Sequence, residues 1–137
     1  TAKTGILEAT NPNSKSDFIS LEIIDSNVKD NLSYENGAIK LIKDIEVDVS
    51  VSEIQGSLIV DSSALDYIRY NEEEYINGYV KYIFNKYKEK KLDIFDVERL
   101  AEMYFSKEDI KDPLSITELE VRTKLNIKGT GITRNSL

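Results

Sequence analysis

The chain of 137 residues carries 18 basic and 25 acidic side chains, a net charge of −7, and has neither cysteine nor histidine. That composition excludes disulfides, thiol nucleophiles, Cys/His zinc sites, a Ser-His-Asp triad and imidazole acid–base chemistry, and the acidic balance, with 14 Lys and 4 Arg, disfavours nucleic acid and direct adsorption to an anionic membrane. Ile, Leu, Val and Phe together number 41, above the roughly 20% share below which a charged chain usually stays unfolded, so a single domain over 1–137 with one real core is expected and nothing spans a bilayer as a helix.

Residues 1–16 are polar and read as a lead-in, with a short extended piece at Ile6-Leu7 and a turn cluster at Asn11-Pro12-Asn13-Ser14. From Phe18 to Ile24 the alternation puts Ile19, Leu21 and Ile23 on one face of a strand. Val28 to Tyr34 alternates more weakly through Val28, Leu32 and Tyr34, and Asn36-Gly37 then offers the pair that tolerates positive φ in a tight hairpin. The clearest signal follows. Ile39, Leu41, Ile45, Val47, Val49 and Val51 hold odd positions, broken only by Lys43, while charged and polar residues fill the even ones. Such period-two patterning predicts a long strand packed on one side and wet on the other. Gly56 marks a bend before a last extended piece at Leu58–Val60.

The period then changes. Ser63 with Asp66 three residues on reads as a capping box, and Leu65, Ile68, Tyr75, Ile76, Tyr79, Val80, Ile83, Phe84 and Tyr87 recur at helical spacing. On one continuous helix Glu72 would fall inside that stripe. A break at Asn71 relieves the conflict, so the reading is a short helix near 63–70 and a long one near 72–91, with Glu72, Glu73 and Glu74 in a first turn that favours anions. Asp93 can cap a further helix that turns Val97, Leu100, Ala101 and Tyr104 inward; Ser106 with Asp109 can start one more turn, and Pro113 ends it. Finally Leu119, Val121, Leu125 and Ile127 alternate with polar residues, Thr123 holding the inward slot between them, and residues 132–137 read as a frayed tail. Strands, then helices, then a strand define an α+β class: an antiparallel sheet with one face covered by a long helix, in the order βββ-αα(α)-β.

The order and spacing of several of these pieces are familiar. Ser20-Leu21-Glu22-Ile23, the strand through Ile45, Val47, Val49 and Val51, the lysine-rich helix running into Asp93-Ile94-Phe95, and Val121–Ile127 running into Thr130-Gly131-Ile132 and Ser136-Leu137 together resemble the C-terminal domain of the Ger(x)C family, the C subunit of bacterial spore germinant receptors. The family carries a glycine-phenylalanine-glycine-like stretch after the Asp-Ile-Phe, where this chain has Asp96-Val97-Glu98. The resemblance implies the last domain of a longer lipoprotein, tethered by a lipid-modified N-terminal cysteine to the outer face of the spore inner membrane. Its partners would be the membrane-embedded A- and B-type receptor subunits, with no nucleic acid and with membrane contact only through the anchor. It transfers no catalytic or ligand-contact residue.

The remaining constellations point the same way. Glu72, Glu73 and Glu74 are adjacent on a helix and cannot converge on one atom. Asp44, Glu46 and Asp48 share a strand face and are expected to be solvated or paired with Lys40, Arg122 and Lys124. Lys128-Gly129-Thr130-Gly131 lacks a following helix and is a poor phosphate loop. Lys86, Lys88, Lys90 and Lys91 suit a helix C-terminus. Tyr75, Tyr79 and Tyr87 are expected in the core, whereas Tyr67, Tyr70 and Tyr82 fall off the stripe and are the candidate partner contacts. No catalytic, cofactor-binding or metal-ligating residue is assigned, and no cofactor is expected. The expected function is a non-catalytic interaction domain in receptor assembly and nutrient-triggered germination. Two alternatives remain, a germinant-binding domain with an apolar pocket and an acidic-residue glycan hydrolase.

Overall fold

Strict alternation from Ile39 to Val51 needs a strand whose two faces meet different surroundings, and a computed structural model of the chain, describing residues 5–56 and 61–130, contains it. The elements are β1 (Ile6–Asn11), β2 (Ser14–Glu35), β3 (Ala38–Ile54), α1 (Ser62–Glu89), α2 (Val97–Tyr104) and β4 (Thr117–Thr130). The strands form one sheet in the order β1-β2-β3-β4. The α+β class and the order of strands, helices and closing strand are as the sequence indicates.

Three details differ from expectation. The lead-in is itself a strand: β1 pairs antiparallel with β2, Leu7 opposite Leu21 and Ala9 opposite Ile19. An Asx turn joins them, with Asn13 N–H donating to Asn11 Oδ1 at 2.9 Å. The two pieces expected at 18–24 and 28–34 are one strand. The inward side of β2 passes from the odd positions Ile19, Leu21 and Ile23 to the even positions Asp30, Leu32 and Tyr34. One extra residue in between, as in a β-bulge, reconciles the two parities and leaves Val28 exposed. Third, the sheet is mixed. β2 and β3 meet through an Asn36-Gly37 turn with both φ positive (53° and 77°), the two-residue hairpin geometry of the sequence reading. β3 and β4 instead run in the same direction, since Ile39 N–H donates to Ile116 O and, further along, Ser50 Oγ donates to Gly129 O. A crossover through helices delivers the next strand parallel.

The helical segment also departs in its details. α1 is continuous from Ser62 to Glu89. Asp61, not Ser63, caps it by accepting the Ala64 N–H at 2.8 Å. Asn71 starts no new helix; its Nδ2 donates back to Tyr67 O, four residues earlier. Lys91 closes the helix in the left-handed region (φ 60°), and Leu92 N–H returns to Tyr87 O at 2.9 Å. Asp93 caps α2 as expected, accepting from Val97 N–H (2.7 Å) and Glu98 N–H (2.9 Å). Ser106–Asp109 makes only a turn. Gly56 makes the expected bend at φ 74°. The extended piece expected at Leu58–Val60 and the tail from Gly131 lie outside the described residues.

The chain divides into two compact units. The first comprises the described residues of Thr1–Val28, Ile45–Ile76 and Thr123–Leu137, the second Lys29–Asp44 and Asn77–Arg122. Each has its own core. In the first, Ala9, Ile19 and Leu21 pack with Val47, Val49, Val51, Ile68 and Leu125. In the second, Leu32, Ile39 and Leu41 pack with Phe84, Val97, Ala101, Leu114 and Leu119, and Phe84 stacks on Phe95 at 5.6 Å. Because Gly37 sits at φ 77°, Gly37→Val forces a branched side chain into the left-handed region. The expected loss is about 1–2 kcal/mol, read as a lower urea midpoint; an unchanged midpoint would refute the turn geometry.

Candidate interaction surface

Tyr75-Ile76, Tyr79-Val80 and Ile83-Phe84 are adjacent pairs on α1, and adjacent helix residues diverge by about 100°. Only one member of each pair can face a core. Ile76 packs on the first core and Val80 and Phe84 on the second. Tyr75 and Tyr79 are therefore turned outward and exposed, contrary to the expectation of core positions, and Tyr87 is half-buried. Tyr67, Tyr70 and Tyr82 are exposed, at 38%, 62% and 59%. Tyr67 and Tyr70, three residues apart, share a helix surface in the first unit; Tyr82 lies near Tyr79 in the second. α1 thus carries exposed tyrosines in each unit, each ring an apolar body with a polar tip.

The outward sheet face is held by polar pairing. In the second unit Lys40 Nζ lies 3.0 Å from Glu120 Oε1 and Arg122 Nε 2.6 Å from Glu120 Oε2. Hydrogen bonds from Lys40 and then Arg122 hold the Glu120 carboxyl below the usual carboxylate range. In the first unit the Asn126 amide donates to both Glu46 (2.8 Å) and Asp48 (2.9 Å). An amide therefore supplies the counterpart that Arg122 and Lys124 were expected to give these carboxylates. Among the described residues no three acidic groups are arranged to hold a metal ion. The three consecutive glutamates diverge as expected, but not in a helix first turn. Glu74 is exposed, Glu73 Oε2 accepts the backbone N–H of Leu125 in β4 at 2.9 Å, and Glu72 is buried.

Two buried charges interrupt the hydrophobic periods of the sequence. Lys43, the one break in the β3 alternation, does point inward. Its ammonium meets Asp30 at 2.8 Å and lies 4.4 Å from the centre of the Phe95 ring, so an ion pair and a cation–π contact replace its hydration. Glu72 occupies the same helix row as Ile68 and Ile76, four residues either side, and is only 6% exposed. Its Oε2 has no hydrogen-bond partner, nor does the buried Thr123 Oγ1 of β4. Burial alone pushes the Glu72 carboxyl up to about 7. The conflict read from the stripe is real, and the fold keeps it instead of breaking the helix.

Asp96, which stands where the resemblance places a glycine, adopts φ 59°. This is the left-handed conformation that glycine takes freely and Asp tolerates best among the other residues with Asn. The site that departs in sequence from the pattern therefore keeps the backbone geometry a glycine would supply. Near the end of α1 a cleft of about 630 Å³ is lined by Asn85, Lys88, Glu89, Lys91, Glu98 and Asp112 with Leu114 and Ser115. Its size suits a small molecule, and five of its eight lining residues are charged.

Strands first, helices in the crossover, a parallel closing strand and an outward aromatic helix face define an α+β domain that presents surfaces. The family model described as spore germination B3/GerAC like, C-terminal, matches residues 1–131, and the chain belongs to that family. It is a germinant-receptor C-subunit-like domain. Its fold is similar to that in the crystal structure of the GerBC protein, with a TM-score of 0.74 at 18% identity over 92% of this chain. The chain spans 41% of that protein's length. No curated relative matches the sequence. No helix among the described residues is long and apolar enough to cross a membrane.

The Glu72 carboxyl titrates near 7 in the fold and in the ordinary range when unfolded. Its protonated form thus supports the fold fully below the unfolded value, and that support is lost as pH rises through about 7. Wild type should lose on the order of 2–3 kcal/mol through this group between pH 5 and pH 9. Glu72→Gln should remove that part of the decline and be the more stable protein at pH 9. Urea melts at both pH values measure the difference; parallel declines would show Glu72 solvated.

Proposed function

We propose that the domain is a non-catalytic interaction module of a spore germinant receptor C subunit, acting in receptor assembly and nutrient-triggered germination. In this reading the full-length protein is a lipoprotein tethered to the outer face of the spore inner membrane, and the domain docks on the membrane-embedded A- and B-type subunits without a bond-making step. The observation that carries it is the exposure of Tyr67, Tyr70 and Tyr82 on α1, in a chain of this family. Exposed Tyr side chains supply contact area at low entropic cost and are enriched at interfaces. The core already satisfies its packing through Ile68, Ile76, Val80 and Phe84, so structural need does not explain Tyr67, Tyr70 or Tyr82.

The test is a triple Tyr67→Ala, Tyr70→Ala, Tyr82→Ala variant of the full-length protein in a spore former. Exposed substitutions should cost little stability. Affinity for the A- and B-type subunits, read by co-purification, should fall about five- to thirtyfold if these tyrosines supply even one contact worth about 1–2 kcal/mol, and nutrient-triggered germination should slow. Unchanged co-purification and germination, at normal protein levels, would remove the reading.

A further inference from the structure

The second unit holds an exposed lysine stripe in an otherwise acidic protein, beside Lys88, which is half-buried and donates to Thr117 O at 2.7 Å. By sequence its segments contain 12 basic and 13 acidic residues, whereas those of the first unit contain 6 and 12. Five lysines fall between 81 and 91 against a single carboxylate, Glu89. Among the described residues none of these lysines is in an ion pair, while Lys40, Lys43, Arg69, Arg99 and Arg122 all are.

Their placement is ordered. Tyr82 and Lys86 lie four residues apart on the outside of α1, Lys90 follows one residue beyond its end, and all three are exposed. The ammonium groups of Lys86 and Lys90 each lie 5.8 Å from the centre of the same Tyr87 ring. At the foot of this stripe the chain turns back through Lys91 and presents two aliphatic side chains to solvent, Leu92 at 51% and Ile94 at 41% exposed. The acidic residue between them, Asp93, is committed to capping α2, so its charge is partly offset by the backbone donors.

We propose that this stripe and tip form a membrane-interface patch that seats on an anionic lipid surface, with Lys86 and Lys90 meeting the headgroups and Leu92 and Ile94 entering the acyl boundary. Charge complementarity selects an anionic partner. The exposed aliphatic tip selects a lipid over an acidic soluble protein, since tyrosines and lysines rimming a small apolar insertion are the pattern of interfacial binding. The net charge of −7 does not decide the matter, because surface attraction falls off within a Debye length and is set by the charges that face the lipid. The proposed subunit docking uses Tyr67, Tyr70 and Tyr82; only Tyr82 borders this patch, and the inference rests on Lys86, Lys90, Leu92 and Ile94 and does not depend on that docking.

The experiment is vesicle co-sedimentation of the 137-residue chain at low salt with phosphatidylglycerol/phosphatidylcholine vesicles and with phosphatidylcholine alone. Binding should require the anionic lipid and weaken as salt is raised. Lys86→Glu/Lys90→Glu should weaken it at least about tenfold, and Leu92→Ser/Ile94→Ser should weaken it as well, both with an unchanged melting temperature. Absence of binding to anionic vesicles, equal binding to neutral ones, or binding indifferent to the charge reversals would overturn the proposal. Loss on charge reversal with full retention in Leu92→Ser/Ile94→Ser would also overturn it, by assigning the stripe to a soluble acidic partner.

Discussion

The alternation of β3 is the constraint from which the rest of the domain follows. One strand supplies the inward side chains of both cores, Ile39 and Leu41 for one and Val47, Val49 and Val51 for the other. Because a strand's side chains repeat with period two, a slip of one residue would turn all of them to water at once. The strand on each side is tied to that register: β2 through the two-residue Asn36-Gly37 turn, β4 through the parallel pairing that begins at Ile39 and Ile116. Within β2 the inward side changes parity between Ile23 and Asp30, so both of its ends serve the same register.

What could be read from the sequence was what depends on short-range pattern. The alternations of β3 and β4, the Asn36-Gly37 turn and the Asp93 cap all rest on a few neighbouring residues, and the structure keeps them. The misread elements depend on distant partners. β1 looks like a lead-in because Ile6–Asn11 has too few apolar residues to announce a strand, and only pairing with Phe18–Glu22 makes it one. The direction of β4 is set by the helical crossover, not by its own residues. On α1 each adjacent apolar pair offered two candidates for the buried row, and period alone could not choose Ile76 and Val80 over Tyr75 and Tyr79. The tyrosines expected outside, Tyr67, Tyr70 and Tyr82, carried no such ambiguity.

The two buried charges show how the same fold treats polar groups differently. Lys43 is compensated by Asp30 and the face of Phe95, so it acts as part of the second core. Glu72 has a carboxyl oxygen with no hydrogen-bond partner and a titration near neutrality, so it weakens the first core in alkali. Both sat in plain view as exceptions to a hydrophobic period. An exception of that kind signals either a break in the element or a buried charge, and here both are buried charges. The asymmetry gives the Lys43 charge a fixed pair of partners in the second core and leaves the first core with a proton-dependent reserve at Glu72.

The most direct test of the account places the same charge on either face of β3. Val49 is fully buried and Ser50, its neighbour, lies on the outward face, where its hydroxyl donates to Gly129 O. Urea unfolding of Val49→Asp should show a loss above about 3 kcal/mol, or no folded protein, since an unpaired carboxylate enters an apolar core. The same measurement on Ser50→Asp should show a loss under about 1 kcal/mol. Similar losses from the two substitutions, or a greater loss at Ser50, would mean that the faces of the strand are reversed and would contradict the fold described above.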